Sequence, residues 1–192
     1  MFIDVDAPYS FIGGSKIDHA VVDGVVDFWN TCDYLQKEEG HTGKGVNKDL
    51  KDSLDLTLPR YIKDKRITDY IDALAEVTKE YCNKYYTLKS VKWDLLEDFN
   101  IQWYPKGGGF HSLHCERSDA HPQCAGRILA WMTYLNDIQE GGETFFEYQQ
   151  CKVKPVKGLT LIWPADWTHF HKGCPAPNEE KMIITGWYDL TL

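Results

Sequence analysis

The chain has 192 residues, 43% of them hydrophobic and 26% charged, with a formal net charge of −8. That length sets a single domain (1–192) as the expectation and allows a sizeable buried core. The acidic surplus argues against non-specific nucleic-acid binding, which depends on Lys and Arg. No apolar run is long enough to span a membrane. What remains is a small molecule, or a neutral or basic peptide or protein, as partner. The start of the chain lacks the basic and apolar regions of a signal peptide. The six cysteines show no CxxC and no repeated spacing, so they read as reduced thiols, and a cytoplasmic protein is expected. Oligomeric state is not readable from these features.

Residues 1–17, with Pro8 and the pair Gly13 and Gly14, read as an irregular lead-in. From Asp18, a plausible cap, Val21, Val22, Val25, Val26 and Trp29 recur at helical spacing. Residues 38–59, rich in Gly, Lys and Asp, read as a long polar connection. Ile67, Tyr70, Ile71, Leu74, Val77, Tyr81 and Tyr85 form a long apolar stripe that predicts a helix over 66–86. Beyond Val91 the pattern changes to short apolar or alternating runs at 91–104, 110–116, 127–135, 144–148, 151–155, 159–163, 168–171 and 181–190, punctuated by Gly, Pro, Asn and Asp. Two helices followed by many strands predict an α+β, mainly β fold: a jelly roll, 91–192, with an N-terminal helical support region, 1–90, packed on one sheet.

Within the strand-rich part, His114 and Glu116 stand two apart. In an extended segment their side chains share a face. Gly107, Gly108 and Gly109 precede them and permit turns that other residues resist. The run 159–163 leads into His169 and His171, either of which offers a second imidazole. Two histidines and a carboxylate with open positions describe the facial triad of non-haem iron(II) oxygenases. A His-x-Glu tripeptide alone also occurs by chance on surfaces. A rival zinc set of His111, His114 and Cys115 has no second compact Cys/His group to complete it.

Several anchors then fall in order. Tyr104 stands ten residues before His114; Tyr134, Leu135 and Asn136 follow; then Gly141, Gly142, Glu143 and Thr144. Pro175 and Lys181 lie four and ten residues after His171, with Thr185 and Trp187 beyond. With these anchors the stretch 104–189 resembles the prolyl 4-hydroxylase-like branch of the 2-oxoglutarate and iron(II)-dependent dioxygenases. The resemblance implies a double-stranded β-helix (jelly roll) holding iron(II) on His114, Glu116 and His171, with 2-oxoglutarate and O2 as cosubstrates and ascorbate as an optional accessory. It favours His171 over His169. It implies that Lys181 pairs with the distal carboxylate of 2-oxoglutarate and that Tyr134 donates its hydroxyl to the same carboxylate. Tyr104 and Thr185 would line the cosubstrate pocket, Trp187 would close its apolar wall, and Arg127 would meet the substrate.

The implied reaction is hydroxylation of a prolyl residue in a peptide or protein, coupled to decarboxylation of 2-oxoglutarate to succinate. Segments 38–59 and 117–126 are the candidate substrate lids. Glu116 stands where the family usually has Asp, and His111 where it commonly has an aromatic residue. Two alternatives stay open: a hydroxylase of a free amino acid or small metabolite, and a catalytically idle jelly roll that binds a ligand. Four other Trp residues, Trp93, Trp103, Trp131 and Trp163, read as core or wall. Arg127 reads equally well as a structural ion-pair partner.

Overall fold

The computed structural model describes residues 3–4, 10–43, 45–117 and 122–191. Among the described residues the strands are β1 (Ile3–Asp4), β2 (Gly13–Lys16), β3 (Lys37–Glu39), β4 (His41–Thr42), β5 (Gly45–Val46), β6 (Leu54–Leu58), β7 (Trp93–Asp94) and β8 (Phe99–Tyr104). They continue with β9 (Phe110–His114), β10 (Arg127–Tyr134), β11 (Thr144–Phe146), β12 (Cys151–Val153), β13 (Leu159–Pro164), β14 (His171–Gly173) and β15 (Lys181–Leu190). The α-helices are α1 (His19–Thr31) and α2 (Lys65–Lys84). A major antiparallel sheet runs β1-β2-β13-β10-β15-β8-β6-β3, with β7 paired to the end of β15. A minor sheet runs β12-β11-β14-β9, and β4 and β5 form a separate hairpin. This is the mainly β jelly roll with two helices that the residue pattern predicts.

Period-two alternation in β10 and β15 separates two cores. Leu129, Trp131, Ile184 and Tyr188 point outward into a cluster shared with both helices. Ala130, Met132, Tyr134 and Ile183 point inward, between the sheets. Each helix starts on an aspartate. Asp18 accepts from the Ala20 N–H at 2.7 Å, and Asp64 accepts from the Arg66 N–H at 3.0 Å. The α2 stripe Ile67, Tyr70, Leu74, Val77 and Tyr81 is buried against the major sheet. Hydroxyl bonds pin it there. Tyr70 meets Thr133 at 2.7 Å, Thr133 meets Thr160 at 2.7 Å, and Thr78 meets Tyr188 at 2.8 Å. Each such bond contributes about 0.5–1.5 kcal/mol net, and an orphaned partner would cost more.

The N-terminal third departs from the expected reading. Residues 13–16 are not irregular but form β2, paired with β13. A Cβ on Gly14 would lie only 1.8 Å from the Thr160 carbonyl oxygen, so only glycine allows this pairing. The polar connection 38–59 contains β3 to β6, and β6 is an internal strand between β8 and β3. Leu54, Leu56 and Leu58 alternating with Asp55 and Thr57 carried that signal, but the flanking Lys and Asp residues masked it. The expected helix 66–86 is α2 followed by a 3-10 turn at Tyr86–Ser90. The expected strand 168–171 is a 3-10 turn at Trp167–His169, capped by Asp166, with β14 starting only at His171. Of the expected lid 117–126, residues 118–121 lie outside the described residues.

Gly186 sits on the outer face of β15, where a Cβ would lie 2.4 Å from the Trp131 ring and 2.8 Å from the Phe99 Cβ. Gly186→Ala is expected to destabilise the fold by about 1–3 kcal/mol through overpacking, read as a lower urea midpoint at unchanged slope.

Candidate active site

The register of β9 and β14 places His114 directly opposite His171. Glu116 follows in the turn after β9, and its carboxylate enters between the two rings. Its Oε1 lies 3.7 Å from His114 Nε2 and 3.3 Å from His171 Nε2. The three ligand atoms lie within 4.8 Å of one another, the arrangement a single ion needs. Each histidine turns its other nitrogen to a backbone carbonyl: His114 Nδ1 to Ser112 O at 2.9 Å and His171 Nδ1 to His169 O at 2.9 Å. A carbonyl can only accept, so Nδ1 carries the proton and Nε2 presents its lone pair to the site. The rings are wedged as well: Phe110 stacks on His114 at 3.8 Å, and Trp163 meets His171 edge-on at 5.0 Å.

The charge state suits a divalent cation. Burial, with His171 close by, pushes His114 down to about 4, so it is neutral at physiological pH. Burial works to raise the Glu116 carboxyl, but the close contact with His171 and the nearby His114 and Arg127 hold it at about 2. Two imidazoles and one carboxylate form a mixed N/O donor set that fits iron(II) and leaves positions facing the cavity.

That cavity, about 1080 Å³, lies between the sheets. At its inner end is Lys181, 3% exposed. Its ammonium donates to the carbonyls of Gly142 at 3.2 Å and Cys174 at 3.3 Å and lies 4.8 Å over the Tyr104 ring. No carboxylate within ion-pair distance faces it among the described residues. Burial lowers its pKa to about 8. A buried cation held only by carbonyls is a receptor for an anionic group. It shares its cavity with the His–Glu–His set, as a dicarboxylate bound at both ends requires.

The other expected site residues divide. Tyr104 and Thr185 line the cavity, but both hydroxyl protons are engaged, Tyr104 with Gln102 Oε1 at 2.7 Å and Thr185 with the Trp131 carbonyl at 2.8 Å. Tyr134 departs from its expected role. It lies fully buried behind the wall, donates to the Val153 carbonyl at 3.1 Å and meets Thr144 Oγ1 at 2.6 Å. Thr144 is the residue that lines the cavity there, and the sequence marked it only as the end of a glycine-rich turn. Trp187 is on the wall but also donates its indole N–H to Glu116 Oε2 at 2.7 Å. Arg127 lines the cavity too, with its guanidinium engaged within the protein. It makes a two-pronged ion pair with Glu97 at 2.7 and 2.6 Å, reaches the Glu116 carbonyl at 3.3 Å, and stacks 3.6 Å over Trp187.

His169 is buried, with Nε2 on the Ser10 carbonyl at 2.8 Å and Nδ1 on Thr168 at 2.9 Å. Neither it nor His111 or Cys115 joins the metal cluster among the described residues. Sequence reasoning missed Lys51, Asp55 and Gln102. Lys51 and Asp55 form a buried ion pair on the cavity wall, and Gln102 bridges Asp55 to Tyr104.

A jelly roll that presents two histidines and a carboxylate in one cavity with a buried lysine has the site layout of a 2-oxoglutarate and iron(II) oxygenase. Residues 99–189 match the 2OG-Fe(II) oxygenase superfamily. The chain is 34% identical over 115 residues to probable prolyl 4-hydroxylase 9 of Arabidopsis thaliana, covering 47% of this chain and 40% of that one. It is 26% identical over 104 residues to prolyl 4-hydroxylase subunit alpha-1 of Homo sapiens, covering 47% and 20%. The chain thus spans less than half the length of these curated relatives. Among solved structures, the viral collagen prolyl hydroxylase of Paramecium Bursaria Chlorella virus-1, in its 2OG complex, superposes with a TM-score of 0.70 at 20% identity, covering 95% of this chain and 98% of that one. A Trichoplax adhaerens prolyl hydroxylase, in complex with a hypoxia inducible factor peptide fragment, gives 0.70 at 17% identity, covering 98% and 82%. At these identities the structural matches speak for the fold. The sequence matches carry the likeness to prolyl 4-hydroxylases, and the 2OG-Fe(II) oxygenase match runs over residues 99–189, just under half of the chain.

Two outcomes follow. His171→Ala is expected to abolish iron(II) binding while His169→Ala largely spares it, measured by anaerobic titration; the reverse result would misassign the distal ligand. Only the ammonium form of Lys181 pairs with a carboxylate, and with a pKa of about 8 that form is lost as pH rises past 8. The 2-oxoglutarate concentration for half-saturation is therefore expected to climb between pH 7 and 9. Lys181→Ala should raise it by roughly thirtyfold or more at pH 7, from a loss of about 2 kcal/mol.

Proposed function

We propose that this chain is an iron(II)- and 2-oxoglutarate-dependent hydroxylase acting on a prolyl residue of a peptide or protein. The observation that carries the proposal is Lys181, a buried cation with no carboxylate partner among the described residues, in the same cavity as His114, Glu116 and His171. Iron, 2-oxoglutarate and O2, when bound, would supply the oxidising chemistry: one oxygen atom of O2 converts C–H to C–OH and the other enters succinate as 2-oxoglutarate loses CO2. The chain's own residues do the rest. His114, Glu116 and His171 would hold the metal, with both imidazoles fixed in one tautomer by backbone carbonyls. Lys181 would hold the far carboxylate of the cosubstrate, and the Tyr104 ring and Thr144 would border it. Trp163, Phe146 and Phe110 pack against the ligand histidines and limit water around the metal position.

A peptide substrate is supported by the shape of the cavity. Its lining reaches from the metal ligands to Gln102, Asp55 and Thr57 and to the exposed Glu38 and His41, residues on or beside β8, β6 and β3, which leaves room for an extended chain. The small-metabolite reading draws on one feature, the buried Lys51 and Asp55 pair on that wall. Those two charges already neutralise each other, and Asp55 also accepts from Ser53 and Gln102. The pair therefore braces the wall and does not await a zwitterion. The reading of the thiols as reduced, in the cytoplasm, stands as part of the same proposal.

The test is turnover. The chain, loaded with iron(II) and 2-oxoglutarate, is expected to form succinate in step with a one-oxygen mass gain on a proline in at least one member of a proline-containing peptide panel. Binding of metal and cosubstrate without succinate from any peptide or amino acid would favour the idle jelly roll. Succinate formation with free amino acids alone would move the assignment to a metabolite hydroxylase.

A further inference from the structure

Glutamate at position 116 poses a geometric problem. Its carboxylate stands one methylene further from the backbone than an aspartate's and has an additional rotatable bond, so a ligand oxygen there is poorly fixed unless something else holds it. The structure contains the holder. Glu116 presents Oε1 to both imidazoles, at 3.3 and 3.7 Å. Its other oxygen, Oε2, accepts the Trp187 indole N–H at 2.7 Å. Trp187 is on the inner face of β15, and its ring is covered by the Arg127 guanidinium at 3.6 Å. Arg127 is in turn clamped by both oxygens of Glu97, and its Nη1 lies 3.6 Å from Glu116 Oε2 and 3.3 Å from the Glu116 carbonyl. Arg127 and Glu97 are 11% and 22% exposed in their side chains, so the clamp is largely shielded from water.

We propose that Trp187, backed by Arg127 and Glu97, is the positioning residue that makes a glutamate serviceable as the carboxylate ligand. By occupying Oε2 it holds Glu116 to one-oxygen ligation through Oε1 and keeps a coordination position open that a two-oxygen carboxylate would take. Aspartate in the same backbone setting ends short of the indole and forfeits that bond. Arg127 acts through Glu116 and Trp187. This inference rests on the metal reading of His114, Glu116 and His171.

The test uses cobalt(II), which is stable in air and gives a visible absorption band when bound. Four proteins are titrated without cosubstrate: wild type, Trp187→Phe, Glu116→Asp and the double variant, with metal-free melting as the folding control. Trp187→Phe is expected to weaken cobalt(II) binding by roughly 10- to 100-fold, the usual effect of losing a partner of a metal ligand. Glu116→Asp should weaken it too, and the double variant should be no weaker than Glu116→Asp alone, because the shortened carboxylate no longer reaches the indole. Unchanged affinity in Trp187→Phe with wild-type binding intact overturns this proposal alone. Fully additive losses overturn it as well, since they place the effect of Trp187 elsewhere than on Glu116. No cobalt(II) binding by the wild-type chain overturns both the proposal and the metal reading beneath it. Should Trp187→Phe fail to fold, solvent exchange of the Trp187 indole N–H decides the matter: slow in wild type and faster in Glu116→Asp supports the proposal, and equal rates overturn it.

Discussion

The site hangs on the pairing of β14 with β9. That register sets His171 against His114 on adjacent strands, and the backbone itself then does three jobs. It spaces the rings, orients each through a carbonyl two residues upstream, and ends β9 where Glu116 can swing between them. A slip of one residue would turn a histidine to the opposite face. The packing of Phe110, Phe146 and Trp163 around the rings is therefore part of the ligand geometry, because it holds the short strands of the minor sheet in that one register.

Charge is distributed in the cavity by a simple rule. Where the protein wants a charge held still, it pairs it: Arg127 with Glu97, and Lys51 with Asp55. Where a ligand is to bind, it leaves the charge without a counter-ion. Lys181, buried and facing only carbonyls, is the cationic case. The Glu116 carboxylate, 3.6 Å from an Arg127 that Glu97 already claims, is the anionic one. Unpaired buried charges are costly. Opposite ones at two points of the same cavity recognise a bound metal and an anionic cosubstrate by the relief of that cost.

The major-sheet strands after Val91 were legible because they alternate between a helix-facing and a cavity-facing set, as β15 does from Lys181 to Tyr188. The metal trio was legible because its anchors fall at fixed offsets. His169 and His171, by contrast, could not be separated by spacing alone. The difference between them is that His169 falls in a 3-10 turn and bonds to Ser10, far away in sequence. Spacing could not supply the partners of Tyr134 and Arg127 either. A hydroxyl or a guanidinium at the expected position says nothing about the partner that claims it first, and Thr144, Val153 and Glu97 all come from other elements. β6 stayed hidden because its leucines alternate within a charged stretch. Its role depends on β8, which follows it only after α2.

That last strand bears on where a unit of inheritance ends and a unit of folding begins. The family likeness starts at residue 99, yet Asp55 steadies Gln102, which takes the Tyr104 proton, so a segment far upstream shapes the pocket that the likeness describes. The helices likewise cover the outer face of β10 and β15. Cut at the boundary that similarity draws, the sheet would show Trp131, Ile184 and Tyr188 to solvent and lose one wall of its cavity. The chemistry and the scaffold that makes it workable thus draw on different stretches of the same chain.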